Sequence, residues 1–254
     1  GKTTVGGEGS APVTIVFGET DAFGGTANLD VAAGSDVKFG GWDDNKNYTQ
    51  TVHGLTGLGQ LNLGSAAKLT LHQTSTATGH VEGTQIQIDN QISGSGDALL
   101  AIDLTSHEEG ETSQTEGYEV VFTDDPATTG NFTGTISLKG GFVTAFDNEA
   151  GNVNEIISGA DQGASGSTLR LETGGQLAVD GKGEVNNLVI ANAEGWESKD
   201  PNSTWAQHDN AIRFEQLDLG TGKLTVQGDL TLESNAVVAI DDINTTQLEQ
   251  DAAN

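Results

Sequence analysis

The sequence predicts an all-β fold in which short strands coil into a parallel β-helix (a β-solenoid), with loops thrown off its surface. Three observations carry this reading. Helical periodicity is nearly missing, apolar residues alternate in pieces of three to five residues, and glycine reaches 36 of 254 residues. The stretch Gln216–Asp241, QLDLGTGKLTVQGDLTLESNAVVAID, is the clearest. Apolar residues open short strands there at Leu217, Leu224, Leu230 and Val237, in steps of 7, 6 and 7. Leu217/Leu219, Leu224/Val226 and Leu230/Leu232 each put two side chains on one face, as strand alternation requires. Gly220, Gly222, Gly228, Ser234 and Asn235 lie between them and accept tight-turn geometry.

Hairpin-built sandwiches use strands of about five or six residues at intervals of about 8–12. Steps of 6 or 7 residues suit a coil instead. Such a coil returns to its starting face after about 20 residues and stacks each circuit about 4.8 Å above the last. Leu217, Leu219, Leu224, Val226, Leu230 and Leu232 are therefore expected to point inward as stacked layers. Degenerate copies of the same grammar recur at Leu55–Leu71, Val81–Leu104, Asn131–Phe146 and Leu169–Ile190. Gly41–Gln50, Thr105–Glu119, Asp147–Ser167 and Ala193–Asn210 interrupt it and are expected to be surface loops, where a solenoid places its insertions. No linker-like stretch divides the chain, so residues 1–254 read as one domain.

The chain carries 37 acidic against 10 basic groups, a formal net charge of −27. That balance argues against nucleic acid, whose affinity rests on Lys and Arg at phosphates. It argues equally against anionic membrane surfaces and polyanionic sugars. Cysteine is absent, so disulfides and thiolate metal sites are impossible. No apolar run approaches the roughly 18 residues of a membrane helix, and barrel-strand alternation with aromatic girdles is not visible, so this chain is not expected to insert into a membrane itself. Between Lys68 and Lys139 there is no basic residue while eleven acids fall there, from Glu82 to Asp125. Acid content of this kind keeps an exported chain soluble, or it makes a surface that needs cations, protons or a basic partner.

Three runs resemble the rungs of bacterial type V autotransporter passenger domains. They are GNFTGTISLKGG (Gly130–Gly141), TGKLTVQGDLTLESNAVVAID (Thr221–Asp241) and ISGSGDALLAIDL (Ile92–Leu104). The resemblance implies a right-handed parallel β-helix exported through the outer membrane and displayed at the bacterial surface. It implies an adhesin of the self-associating or diffuse-adherence type, acting in autoaggregation, biofilm formation and virulence. Absent cysteines fit passage through two membranes, and the missing barrel and signal imply a fragment or a released passenger.

β-Helices also include sugar hydrolases and lyases, so catalytic motifs matter. Gly94-Ser95-Gly96 lacks the outer glycine of a nucleophile elbow, and Gly57-x-Gly59, Gly181-x-Gly183 and Gly220-x-Gly222 lack the third glycine of a nucleotide loop. Carboxylate pairs such as Asp124/Asp125 arise by chance among 37 acids. Lyases of acidic sugars need Arg or Lys to hold the substrate, and only Arg170 and Arg213 are arginines. The chain reads as a non-enzyme. Among the five histidines, His72 and His80 flank a polar turn and read as solvated turn residues. No cofactor is expected; calcium is the one candidate ion. Asp43, Asp44 and Asn45 gather oxygen donors for it without a recognised calcium signature.

All three tryptophans, Trp42, Trp196 and Trp205, fall in the expected loops. Exposed aromatics anchor recognition, or they pack a loop onto the body of the fold. Trp196 and Trp205 flank Asp200-Pro201-Asn202, so one loop offers two flat faces with polar edges. The expected function is homotypic self-association between copies on neighbouring cells, through hydrogen bonds from stacked Asn, Thr, Asp and Gln. The alternatives are a module that binds a host glycan or extracellular-matrix protein through the 193–210 loop, and a polysaccharide-acting enzyme.

Overall fold

The chain returns repeatedly to the same few sheets. The computed structural model describes residues 1–7, 11–25, 27–40, 48–72, 80–82, 85–104, 118–123, 132–145, 155–158, 165–180, 182–191, 211–215, 223–233, 236 and 239–241. Among these the only α-helix is Glu155–Ser158. Strands pair in parallel throughout, except that His80–Glu82 runs antiparallel to Gln85–Ile88. The fold is all-β with parallel sheets.

Three successive strands show the path. Gln176–Asp180 joins one seven-stranded sheet, Lys182–Val185 a two-stranded sheet, and Asn187–Ile190 the other seven-stranded sheet. Ala211–Glu215, Lys223–Val226 and Leu230–Leu232 repeat those assignments in the same order, one layer on. Near the amino end, Asn28–Val31, Asp36–Lys38 and Thr49–Val52 are followed likewise by Gly54–Thr56, Gln60–Asn62 and Lys68–His72. Apart from that antiparallel pair, no described strand pairs with its sequence neighbour, which has turned into another sheet. A strand's backbone groups are satisfied by the layers on either side.

Parallel register converts strand alternation into columns. One runs Gln50, Leu69, Leu100, Ile136, Leu169, Leu188 and Leu230; the next runs Val52, Leu71, Ile102, Leu138, Leu171, Ile190 and Leu232. From Val52 and Leu69 to Leu188 and Ile190, every apolar member is buried. Ile86, Ile88, Val120, Phe122, Val143, Leu177 and Val179 from the second seven-stranded sheet join the same core. Gln50 closes one end of its column, fully buried, with Nε2 donating to the Glu19 carbonyl at 2.6 Å.

The corners are built for close approach. Gly57 has φ +92°, and a Cβ there would collide with the Val31 carbonyl of the preceding layer. The Gly59 amide donates to that same carbonyl at 2.9 Å. Buried Asn90 then donates from Nδ2 to the carbonyls of Thr56 and Gly59 at 3.4 and 3.3 Å. The incomplete Gly57-x-Gly59 motif is thus a corner where layers touch.

Several expectations change. Circuits are not uniform: register partners lie 19 residues apart from Thr168 to Asn187 but 36 apart from Asp103 to Lys139. Closing a longer loop adds little entropic cost, so strands stack whatever length intervenes. Strands begin inside two expected loops, at Thr49 and Glu119. The expected loop Asp147–Ser167 contains the helix Glu155–Ser158, whose Ile156 and Ile157 are buried. The Asn186 amide donates to the Ile157 carbonyl at 2.8 Å, so one helical turn lines the wall there. His72 ends a strand and is no turn residue.

The inward burial expected of the last leucines also fails. Register places Leu230 over Leu188 and Leu232 over Ile190, yet they are 55% and 54% exposed. Leu230–Leu232 is the edge strand of its sheet, and among the described residues nothing stacks beyond it. Leu224 and Val226 are half-buried against the core, while Leu217, Leu219 and Val237 lie outside the described residues.

Position in a column therefore sets the cost of truncation. Leu138→Ala or Leu171→Ala is expected to cost about 2–5 kcal/mol. Leu230→Ala should cost less than about 1 kcal/mol, since half of that side chain already faces water. Urea unfolding of the three variants measures the difference, and equal losses would contradict the column assignment.

Candidate functional site

The alternate residues of the same strands face outward. In the sheet built from Thr49–Val52, Lys68–His72, Leu99–Asp103, Thr135–Lys139, Thr168–Leu171, Asn187–Ile190 and Leu230–Leu232, one outer column runs Thr51, Thr70, Ala101, Ser137, Arg170, Val189 and Thr231. Beside it stand His72, Asp103 and Lys139 in consecutive layers. These strands contain Lys68, Lys139 and Arg170 against one carboxylate, Asp103. The strands of the other seven-stranded sheet contain Glu82, Glu119, Asp180, Glu215 and Asp241 against Arg213 alone. In a chain of net charge −27, the acidic excess of the strands thus falls on one of the two seven-stranded sheets and not on the other.

In-register stacking sets side chains of one column about 4.8 Å apart, so like charges would repel layer after layer. Several outer columns avoid this by alternating partners, although the register also sets Asp180 beside Glu215 and Lys182 beside Lys223. Lys139 Nζ lies 3.3 Å from Asp103 Oδ2. Lys2 Nζ lies 3.0 Å from Asp30 Oδ2, and Thr56 Oγ1 donates to Asp30 Oδ1 at 3.0 Å. Gln60 Nε2 donates to Gln91 Oε1 at 3.0 Å. Gln85 Nε2 and Thr144 Oγ1 donate to the two oxygens of Glu119, each at 2.7 Å.

Arg170 is the densest node. Its Nε donates to Glu172 Oε1 at 2.5 Å, and its Nη1 and Nη2 donate to the two Glu233 oxygens at 2.6 and 3.0 Å. Val189 and then Thr231 follow Arg170 in its column, so the guanidinium crosses a layer to fasten the end of the edge strand. Hydrogen bonding to Glu233, and next to Glu172, raises the Arg170 pKa against the opposing effect of burial.

Asp36 is the discordant carboxylate. Its Oδ1 is buried and meets no hydrogen-bond donor among the described residues. Burial pushes its pKa up, and Lys38 Nζ, 3.9 Å from Oδ2, pulls it back only in part.

Trp42, Asp43, Asp44, Asn45, Trp196, Asp200, Asn202 and Trp205, the side chains singled out for ligand or ion binding, lie outside the described residues. Among the described residues no group of three or more His, Cys, Asp or Glu side chains is placed to hold a metal ion. No helix among them is long and apolar enough to cross a membrane. Sequence reasoning missed this grouping because Lys68, Lys139 and Arg170 are widely separated along the chain. Their shared signal is faint: each flanks an inward-facing leucine, in Lys68-Leu69, Leu138-Lys139 and Leu169-Arg170-Leu171.

Two substitutions test these electrostatics. Arg170→Ala should lower stability by about 1 kcal/mol, the scale of a partly exposed charge network. A double-mutant cycle with Glu233→Gln isolates the clamp. Asp36 has a folded-state pKa raised above its ordinary 3.8, so the folded state binds this proton more readily than the unfolded chain. Its contribution is most favourable at low pH and declines as pH rises from 3.8 through the raised value. Asp36→Asn should therefore raise stability at pH 7 and remove that decline, as read from urea midpoints across pH.

No protein-family model, curated protein or solved structure matches the chain, so its function is argued from this geometry.

Proposed function

We propose that the chain is a right-handed parallel β-helix of the autotransporter-passenger kind. It is displayed on a bacterial surface and joins cells by binding further copies of itself. The observation that supports this most is the scarcity of carboxylates in the sheet of Lys68, Lys139 and Arg170, within a chain of net charge −27. Two such copies repel at long range, and physiological salt screens charges only beyond about 8 Å. Contact between copies therefore uses a face without acidic excess.

That face presents hydroxyls beside cations that Asp103, Glu172 and Glu233 neutralise, with Thr70 and Thr168 half-buried on its surface. Each hydrogen bond formed across a contact contributes only about 0.5–1.5 kcal/mol. Cohesion comes from many such bonds between many copies, as avidity and without a hot spot. The chain acts as a structural adhesin with no catalytic step and no required cofactor. Its setting outside the cell accounts for a cysteine-free, acid-rich composition.

Cells displaying the chain should settle faster as NaCl rises from about 10 to about 300 mM, because screening removes the long-range repulsion. Thr70→Glu with Thr168→Glu adds two carboxylates to the face and should slow settling strongly while leaving the circular dichroism spectrum unchanged. Unchanged settling in that double variant would remove this face from the contact. Settling fastest at the lowest salt would point to an oppositely charged partner in place of self-recognition.

A further inference from the structure

We infer that His53 and His72 form a binding site for a divalent transition cation of the zinc class. The inference is independent of the adhesion reading. Thr49–Val52 pairs in parallel with Lys68–His72, with Val52 beside Leu71. The next residue of each strand direction is a histidine, so His53 and His72 meet across adjacent layers. Their ring centroids lie 5.9 Å apart with the planes at 74°. A zinc–imidazole bond of about 2 Å puts each ring centre roughly 3 Å from the ion, so two imidazoles on one tetrahedral metal have centres about 5 Å apart, and these two rings need close by only about 1 Å to share it.

Both residues are half-buried, and both are held by the sheet. The His53 amide donates to the Ala27 carbonyl at 3.0 Å, and His72 closes the strand Lys68–His72. Little backbone ordering remains to be lost on binding. Asp103 follows His72 in register, but its Oδ2 is 3.3 Å from Lys139 Nζ. It lends negative charge near the site and does not complete a three-residue ligand set. The site is thus two imidazoles, with the remaining coordination positions open to water or an incoming donor. Imidazole nitrogen suits zinc, copper and nickel, whereas calcium and magnesium take oxygen ligands. Calcium should therefore not compete here.

Calorimetric titration of the full chain with zinc chloride, in millimolar calcium to occupy carboxylates, tests the site. One strongest zinc site per chain is expected. His53→Ala and His72→Ala should each weaken it by about tenfold to a hundredfold, at least the loss that follows removal of an outer-shell partner. His80→Ala should leave it unchanged. Ring-proton NMR of the unmodified chain gives a second readout: two histidines should shift together at the first zinc equivalent. Should an alanine variant fail to fold, the NMR result decides together with His53→Gln and His72→Gln, which should weaken the site likewise. Zinc binding untouched by both substitutions, or a first equivalent that shifts other histidines, would overturn the site and leave a plain ring–ring contact.

Discussion

In-register parallel pairing between layers is the constraint on which the rest of this structure depends. Strands of three to five residues have no hairpin partner of their own, the His80–Glu82 and Gln85–Ile88 pair excepted. Their N–H and C=O groups are satisfied only when the chain comes back over itself. Once it does, every side chain stands directly above its counterpart in the preceding layer. Inner columns must then be apolar from end to end, as the run from Leu69 to Leu188 is. A polar residue is tolerated where a column stops, and Gln50 occupies such an end.

The outer surface obeys the same constraint with opposite chemistry. A column of carboxylates would place like charges at strand spacing, and most acids are interleaved with Thr, Gln, Lys or Arg, the in-register Asp180 and Glu215 excepted. Glu119 accepts from Gln85 and Thr144, and Asp103 lies between His72 and Lys139 in the register. Such exposed pairs contribute little stability singly. They relieve like-charge repulsion within a column, and the two seven-stranded sheets differ in charge, with more cations than carboxylates among the strand residues of one and the reverse in the other. Arg170 is the exception in strength, since its fork grips Glu233 with two bonds and Glu172 with a third.

Much of the architecture was legible from residue types. Alternation at Leu69/Leu71, Leu100/Ile102 and Leu169/Leu171 marks strands whichever layer they join, because inward and outward positions alternate along any strand. Circuit length was not legible. Loop closure costs so little that the interval between stacked strands ranges widely, and no fixed period disciplines it. The helix Glu155–Ser158 escaped for a related reason. Four residues with two apolar neighbours, Ile156 and Ile157, carry no periodicity, and only the wall they fill gives them a shape.

Composition and alternation alone settle that the chain makes short strands, that cysteine chemistry is closed to it, and that acids dominate its surface. These are properties of residues and their immediate neighbours, which no fold can change. Which strand lies over which is a different kind of fact. Lys68, Lys139 and Arg170 share a face, and His53 meets His72, only because the chain returns to one sheet in register. Likewise Leu188 is buried and Leu230 exposed, though both alternate in the same way, because a layer covers the first and none is described above the second. Burial depends on neighbours distant in sequence, and only the tertiary structure supplies them.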